Sequence, residues 1–106
     1  MSNYVPDEGD IVWIELSPTV GREQAGHRPA VVLTKAAYNR RSGLLFCVPM
    51  TSRVKNYPFE VAVGSGVALV DHSRSVDWEG RGISRKGNAT TEELESIRSK
   101  LRKLIG

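Results

Sequence analysis

Ala30-Val31-Val32-Leu33 is an unbroken apolar, β-prone run that follows directly on a polar loop, Gly21-Arg22-Glu23-Gln24-Ala25-Gly26-His27-Arg28-Pro29. A run this short and this apolar, continued to Thr34, suits a strand buried on both faces. Other short β-prone runs surround it: Ile11 to Leu16 after the Gly9-Asp10 break, Leu44 to Pro49, Phe59 to Val63 and Val67 to Val70. Gly64-Ser65-Gly66 reads as a tight connection, and Asn39-Arg40-Arg41-Ser42-Gly43 as the turn that leads into Leu44. Two further short pieces are expected around Ser73 to Trp78 and Gly82 to Arg85. Several short strands separated by turns argue for a small barrel or a strongly curved sheet.

Only the tail has a helical period. Thr90-Thr91-Glu92-Glu93 has the Thr-x-x-Glu form of a capping box, and Leu94, Ile97, Leu101 and Leu104 then recur at three and four residues. One amphipathic helix from Thr91 to Leu104 is expected, with its apolar stripe in the core. The class that follows is mainly β with a C-terminal helix.

With 106 residues and no linker, repeat or low-complexity tract, residues 1–106 are expected to form a single domain. No apolar run approaches the roughly 20 residues of a membrane helix, and Met1 to Asp10 is too polar for a signal peptide, so a cytoplasmic location is expected. Cys47 is the single cysteine; among Leu44, Leu45, Phe46 and Val48 it reads as a buried strand thiol. The net charge of +3 fits a polyanion partner without demonstrating one. Arg98, Lys100, Arg102 and Lys103 complement a helix C-terminus. The loop bases Arg22, Arg28, Arg53, Lys55, Arg74 and Arg81 are better placed for phosphate.

Several chemistries fall away on residue type. Two histidines and one cysteine without His-x-x-x-His or Cys-x-x-Cys spacing argue against a metal site. Gly-x-Ser-x-Gly and the phosphate-binding glycine patterns are absent, so no cofactor is expected. Acid-base and electrostatic chemistry remains, and that suffices to cleave RNA, which carries its own nucleophile in the 2′-hydroxyl. Glu23 suits the base. Arg28, permanently charged and forked, suits stabilisation of the attacked phosphate. By themselves these two residues, five apart in a loop, more often make a structural ion pair. A second polar cluster, Thr51-Ser52-Arg53 and Lys55-Asn56-Tyr57 after the third strand, combines hydroxyls and cations for phosphate with an aromatic face for an unpaired base. Alone, it reads equally as a turn with a satisfied threonine and a core tyrosine.

Ordered blocks along the chain connect the two clusters: Gly9-Asp10-Ile11-Val12-Trp13, Pro18-Thr19, Glu23 to Leu33, Val48-Pro49-Met50-Thr51-Ser52, Asn56-Tyr57-Pro58-Phe59-Glu60, and Gly66-Val67-Ala68-Leu69 with Asp71. In these blocks the chain closely resembles the MazF/PemK family of toxin endoribonucleases, most of all its MazF branch. The resemblance implies a homodimeric SH3-like β-barrel of the MazF/PemK/CcdB type. It also implies ribosome- and metal-independent cleavage of single-stranded RNA at a short sequence, leaving a 2′,3′-cyclic phosphate and a 5′-hydroxyl. A cognate acidic, MazE-like antitoxin that blocks the RNA groove is implied as partner.

Carried over position by position, Glu23, Arg28 and Thr51 match the catalytic glutamate, arginine and threonine. Gln24, His27, Ser52, Arg53, Lys55, Asn56, Tyr57, Asp71, His72 and Arg74 are candidates for RNA contact. The chain departs from the PemK (Kid) branch, whose arginine, aspartate and histidine scheme is matched only at Asp71; Leu69 and Arg22 occupy the other two positions. His72 stands where the MazF branch commonly has glutamine, which bears on base preference. Trp13 and Trp78 are read as core or dimer-interface residues. The rival classes are a non-catalytic gyrase-poison-like toxin and a plain RNA-binding module, since this fold does not fix activity.

Overall fold

The computed structural model describes residues 3–16, 21 and 26–106. Among these, seven strands form one curled antiparallel sheet: β1 (Asp10–Glu15), β2 (His27–Val32), β3 (Leu44–Thr51), β4 (Glu60–Val63), β5 (Gly66–Leu69), β6 (Arg74–Asp77) and β7 (Ser84–Asn88). Their order is β4-β5-β3-β2-β1-β7, with β6 also paired to β3. Three helices accompany them, α1 (Ala36–Ser42), α2 (Trp78–Arg81) and α3 (Thr91–Ile105), together with a 3-10 turn at Val70–His72. The mainly β class with a C-terminal helix is therefore what the chain adopts.

The buried run in β2 explains the layering. Val31 points into one cluster with Ile11, Val48, Met50, Val61, Val63, Ala68, Val70 and Ile97. Ala30 and Val32 point into another with Val12, Ile14, Leu16, Leu45, Cys47 and Val76. Alternate residues of a strand face opposite sides, so a strand apolar at every position belongs between two cores. Helix α3 closes the first cluster through Ile97, with Leu94 and Leu101 against it. The expected apolar stripe stops there, because Leu104 is 43% exposed at the helix end.

Strand β3 sets the curl. Its final residues Met50 and Thr51 pair with Ala68 and Val67 of β5, whereas Leu44 to Cys47 pair with Asp77 to Arg74 of β6. Between the two partners, opposite Val48 and Pro49, the chain leaves the ladder through the 3-10 turn at Val70–His72. Proline brings no N–H to a ladder, which makes this the natural place for one partner strand to yield to the next.

Two local expectations are corrected. The stretch Asn39 to Gly43 is not a bare turn but the second half of α1, closed by Gly43 at φ +74 with its N–H on the Asn39 carbonyl at 3.0 Å. No side chain caps the start of α1, so the usual N-terminal sequence signal is missing. The helix is held instead from outside: buried Asn39 donates to the carbonyls of Pro6 at 2.8 Å and Thr34 at 2.9 Å, and the Trp78 indole donates to the Asn39 carbonyl at 2.9 Å. Trp78 is half-buried and packs against the second cluster. Strand β2 also begins at His27, three residues before the apolar run, because its polar start pairs with Ile14 and Glu15 of β1.

Candidate active site

Strand pairing brings the two polar clusters of the sequence together. Arg28, second residue of β2, lies opposite Ile14 of β1. Thr51 is the last residue of β3, the neighbouring strand, and lies opposite Val67 of β5. Gly66 permits that edge to close: a Cβ there would stand 2.8 Å from the Thr51 carbonyl oxygen. The Thr51 Oγ1 accepts the Arg53 N–H at 3.2 Å, which turns the chain sharply out of the strand. That bond uses an acceptor site of the hydroxyl and not its hydrogen.

Arg28, Thr51 and Ser52 stand between two cavities and line both. On one side is a groove of about 640 Å³ whose described lining adds Arg53, Lys55, Tyr57, Glu60, Leu69 and His72. It is rich in cations, and Lys55 Nζ lies 5.7 Å from the centre of the Tyr57 ring. On the other side is a cavity of about 300 Å³, whose wall is largely apolar and aromatic: Ile11, Trp13, Pro29, Met50 and Val63, with His27 and Lys86 at its edge. The rings of Trp13 and His27 lie parallel within 8° at a centroid separation of 5.6 Å, and Lys86 Nζ stands 5.7 Å from the Trp13 ring centre.

The candidate residues divide accordingly. Arg28, Thr51, Ser52, Arg53, Lys55, Tyr57 and His72 converge on the groove, while His27 belongs to the second cavity. Glu23 and Gln24, like Arg22 and the Pro18-Thr19 block, lie outside the described residues. Asn56 and Asp71 are exposed beside the groove and are not among its described lining. Arg74 is not brought to it either. It sits opposite Cys47 on β6, and its Nη1 donates to the Leu16 carbonyl at 3.3 Å, just after β1. Arg81 makes a similar contact with the Glu15 carbonyl at 2.8 Å. These two guanidinium groups therefore serve the chain's own backbone at the end of β1.

Two charged lining residues, Glu60 and Lys86, were not among the candidates, because their relation to Arg28 depends on strand pairing over long separations. Trp13, expected in the core or an interface, is half-buried at the second cavity. Cys47 is fully buried, and burial pushes its thiol up to about 12 although Arg74 and Arg81 pull the other way. A thiol so held is not a nucleophile at neutral pH. Among the described residues, no group of three or more His, Cys, Asp or Glu could hold a metal ion.

The family profile described as "PemK-like, MazF-like toxin of type II toxin-antitoxin system" matches residues 7–105. The chain belongs to this family. It is 49% identical over 110 residues to the endoribonuclease toxin MazF of Escherichia coli K12, an alignment covering 100% of this chain and 99% of that protein. Among solved structures, MazF from Deinococcus radiodurans superposes with a TM-score of 0.95 at 47% identity, covering 98% of this chain and 99% of that one. A MazE-MazF complex from the same organism matches with a TM-score of 0.87 at 45% identity, covering 97% and 98% of the two chains. As a PemK/MazF member, the chain carries the start of β2 and the end of β3 as parts of one family fold, and these are the segments that meet at Arg28 and Thr51. No helix among the described residues is long and apolar enough to cross a membrane.

Proposed function

We propose that this chain is an endoribonuclease toxin of a type II toxin-antitoxin system that cleaves single-stranded RNA in the cytoplasm without a metal or a ribosome. The observation that carries this reading is the convergence of Arg28, Thr51 and Ser52 at the wall between a cationic groove and an aromatic cavity. A phosphate held at that wall would have its flanking nucleotides directed into the two spaces.

In this reaction Glu23 takes the proton of a 2′-hydroxyl, and the 2′-oxygen bonds to the adjacent phosphorus as the bond to the 5′-oxygen breaks. Arg28 holds the two non-bridging oxygens as charge accumulates on them, with Thr51 and Ser52 fixing the phosphate. The leaving 5′-oxygen takes its proton from His27 or from water. The products are a 2′,3′-cyclic phosphate and a 5′-hydroxyl. Arg53, Lys55 and His72 follow the RNA backbone and Tyr57, 59% exposed, offers a stacking face. Gln24, Asn56 and Asp71 stand beside the path, and His72 bears on base choice.

Residues 1–106 act as one toxin domain and work as a homodimer. The cognate antitoxin is an acidic segment with apolar anchors that fills the same groove and excludes RNA. Support for such a partner comes from the related MazF chains solved with MazE. The test is incubation of purified protein with a long single-stranded RNA in EDTA. Site-specific cuts ending in cyclic phosphate, lost in Glu23→Ala and Arg28→Ala, are expected. Intact RNA with a folded dimer would instead leave a non-catalytic binder.

A further inference from the structure

Residues 53–57 leave β3 and bear three of the groove's lining side chains, Arg53, Lys55 and Tyr57, yet all five are exposed and belong to no strand or helix. An exposed loop of this kind keeps a defined shape only if something else binds its backbone. Glu60, the one carboxylate among the described groove-lining residues, does so. Its two oxygens both accept the Lys55 backbone N–H at 3.2 Å, and Oε1 also accepts the Asn56 N–H at 2.9 Å. The Glu60 N–H in turn donates to the Tyr57 carbonyl at 3.1 Å. Asn56 completes the turn at φ +60, a left-handed conformation that presents consecutive N–H groups to one anion. A second tether comes from α3, where Lys100 Nζ donates to the Pro58 carbonyl.

A carboxylate in a groove meant for RNA would ordinarily repel phosphate. Here its charge is turned onto backbone N–H groups, and its position is fixed by β4, where Glu60 lies opposite Leu69 of β5. We propose that Glu60 is a positioning residue for substrate binding: it clamps the Lys55-Asn56 backbone and so presets Lys55 and Tyr57 for RNA. The inference rests on reading the groove as the RNA path. Preorganisation of this kind lowers the ordering cost of binding and leaves the chemical step at Arg28 and Thr51 unaffected.

The experiment compares Glu60→Ala and Glu60→Gln with the parent protein. Cleavage is followed on a long single-stranded RNA, and binding on a short RNA that spans a parent cut site with a 2′-deoxy sugar at the scissile position. Glu60→Ala is expected to raise KM and Kd about tenfold with kcat within about twofold. Glu60→Gln keeps one acceptor oxygen for both N–H groups and is expected to recover most of that loss. If Glu60→Ala binds RNA as tightly as the parent or more tightly, the carboxylate merely repels RNA and the proposal fails. Equal weakening in both variants also overturns it, since geometry would then not be the cause. Asn56→Gly and Asn56→Ala supply a second route independent of the carboxylate. Both remove the same amide but only alanine strains the turn, so Asn56→Ala must bind more weakly than Asn56→Gly, and equal binding refutes the clamp. A parent protein that neither cuts nor binds RNA removes the RNA reading itself, and this inference with it, whereas a cleaving parent with tight-binding Glu60→Ala removes the inference alone.

Discussion

The two cavities on either side of Arg28, Thr51 and Ser52 are built from different material. The larger is bounded by the 53–57 loop and gathers Arg53, Lys55 and His72, whereas the smaller lies over strand residues, with Trp13, Pro29, Met50 and Val63 in its wall. Long-range charge favours an RNA backbone in the first; flat apolar surface favours a base or an apolar side chain in the second. A shared wall between unlike spaces can fix both the phosphate and the direction of the chain that crosses it. The contrast also separates what is preset by sheet packing from what depends on a clamp, since Trp13 is held in β1 while Lys55 and Tyr57 rely on Glu60.

The largest effect is expected at the shared wall. Arg28→Ala should reduce single-turnover cleavage at saturating RNA by about 10²-fold or more, as loss of a preorganised charge at a developing anion does. Arg28→Lys should restore little, because an ammonium lacks the guanidinium fork. Full cleavage by Arg28→Ala would remove the wall from the mechanism. The two cavities are then distinguished by salt. Arg53→Ala combined with Lys55→Ala should lower the slope of log Kd against log salt by about 0.7 for each phosphate that the protein no longer neutralises. Trp13→Ala should leave the slope unchanged and cost about 1–3 kcal/mol of binding if a base stacks there. The reverse pattern in filter binding or fluorescence anisotropy would dissolve the distinction.

A smaller effect is expected from Gly66→Ala, which forces a Cβ against the Thr51 carbonyl and should cost about 1–3 kcal/mol of stability together with a fall in kcat. Thermal melts and cleavage assays would read the two effects, and unaltered kcat would show that Thr51 tolerates displacement. The smallest effects are expected at the capping box of α3, which lines neither cavity and meets the smaller one only through the Glu93 bond to the Gly64 N–H. Thr90→Ala should cost about 1 kcal/mol in melts and leave cleavage unchanged. The N–H of Thr90 first, and that of Gly64 second, hold the Glu93 carboxyl below its ordinary value of 4.5. A depressed folded value means that the Glu93 contribution is present above pH 4.5 and is lost as pH falls below it. The melting-temperature gap between the parent and Glu93→Gln should therefore shrink between pH 7 and pH 3.

Local signals were legible wherever the physical cause is local. The capping box at Thr90 and Glu93 forms as its spacing requires, and β1, β3, β4 and β5 fall on their apolar runs. The uninterrupted β2 run reported burial on both faces, which the two clusters display. Helix α1 was not legible, because two of its anchors, Pro6 and Trp78, are remote in sequence, and no side chain caps its start. Arg74 looked like a candidate for phosphate because a sequence shows charge but not direction, and its guanidinium turns to the Leu16 carbonyl.

By itself, then, the sequence determined the mainly β class, the closing helix, the buried thiol and the residue types able to handle a phosphate, since each follows from periodicity, caps or side-chain chemistry within a short window. Only the tertiary structure decided that Arg28 and Thr51 share one wall, that His27 faces the aromatic cavity with Trp13, and that Glu60 grips the 53–57 loop. Those relations arise from hydrogen-bonded pairing of β2, β3 and β5 and from the close approach that Gly66 permits, and strand register couples residues whose separation along the chain carries no trace of it.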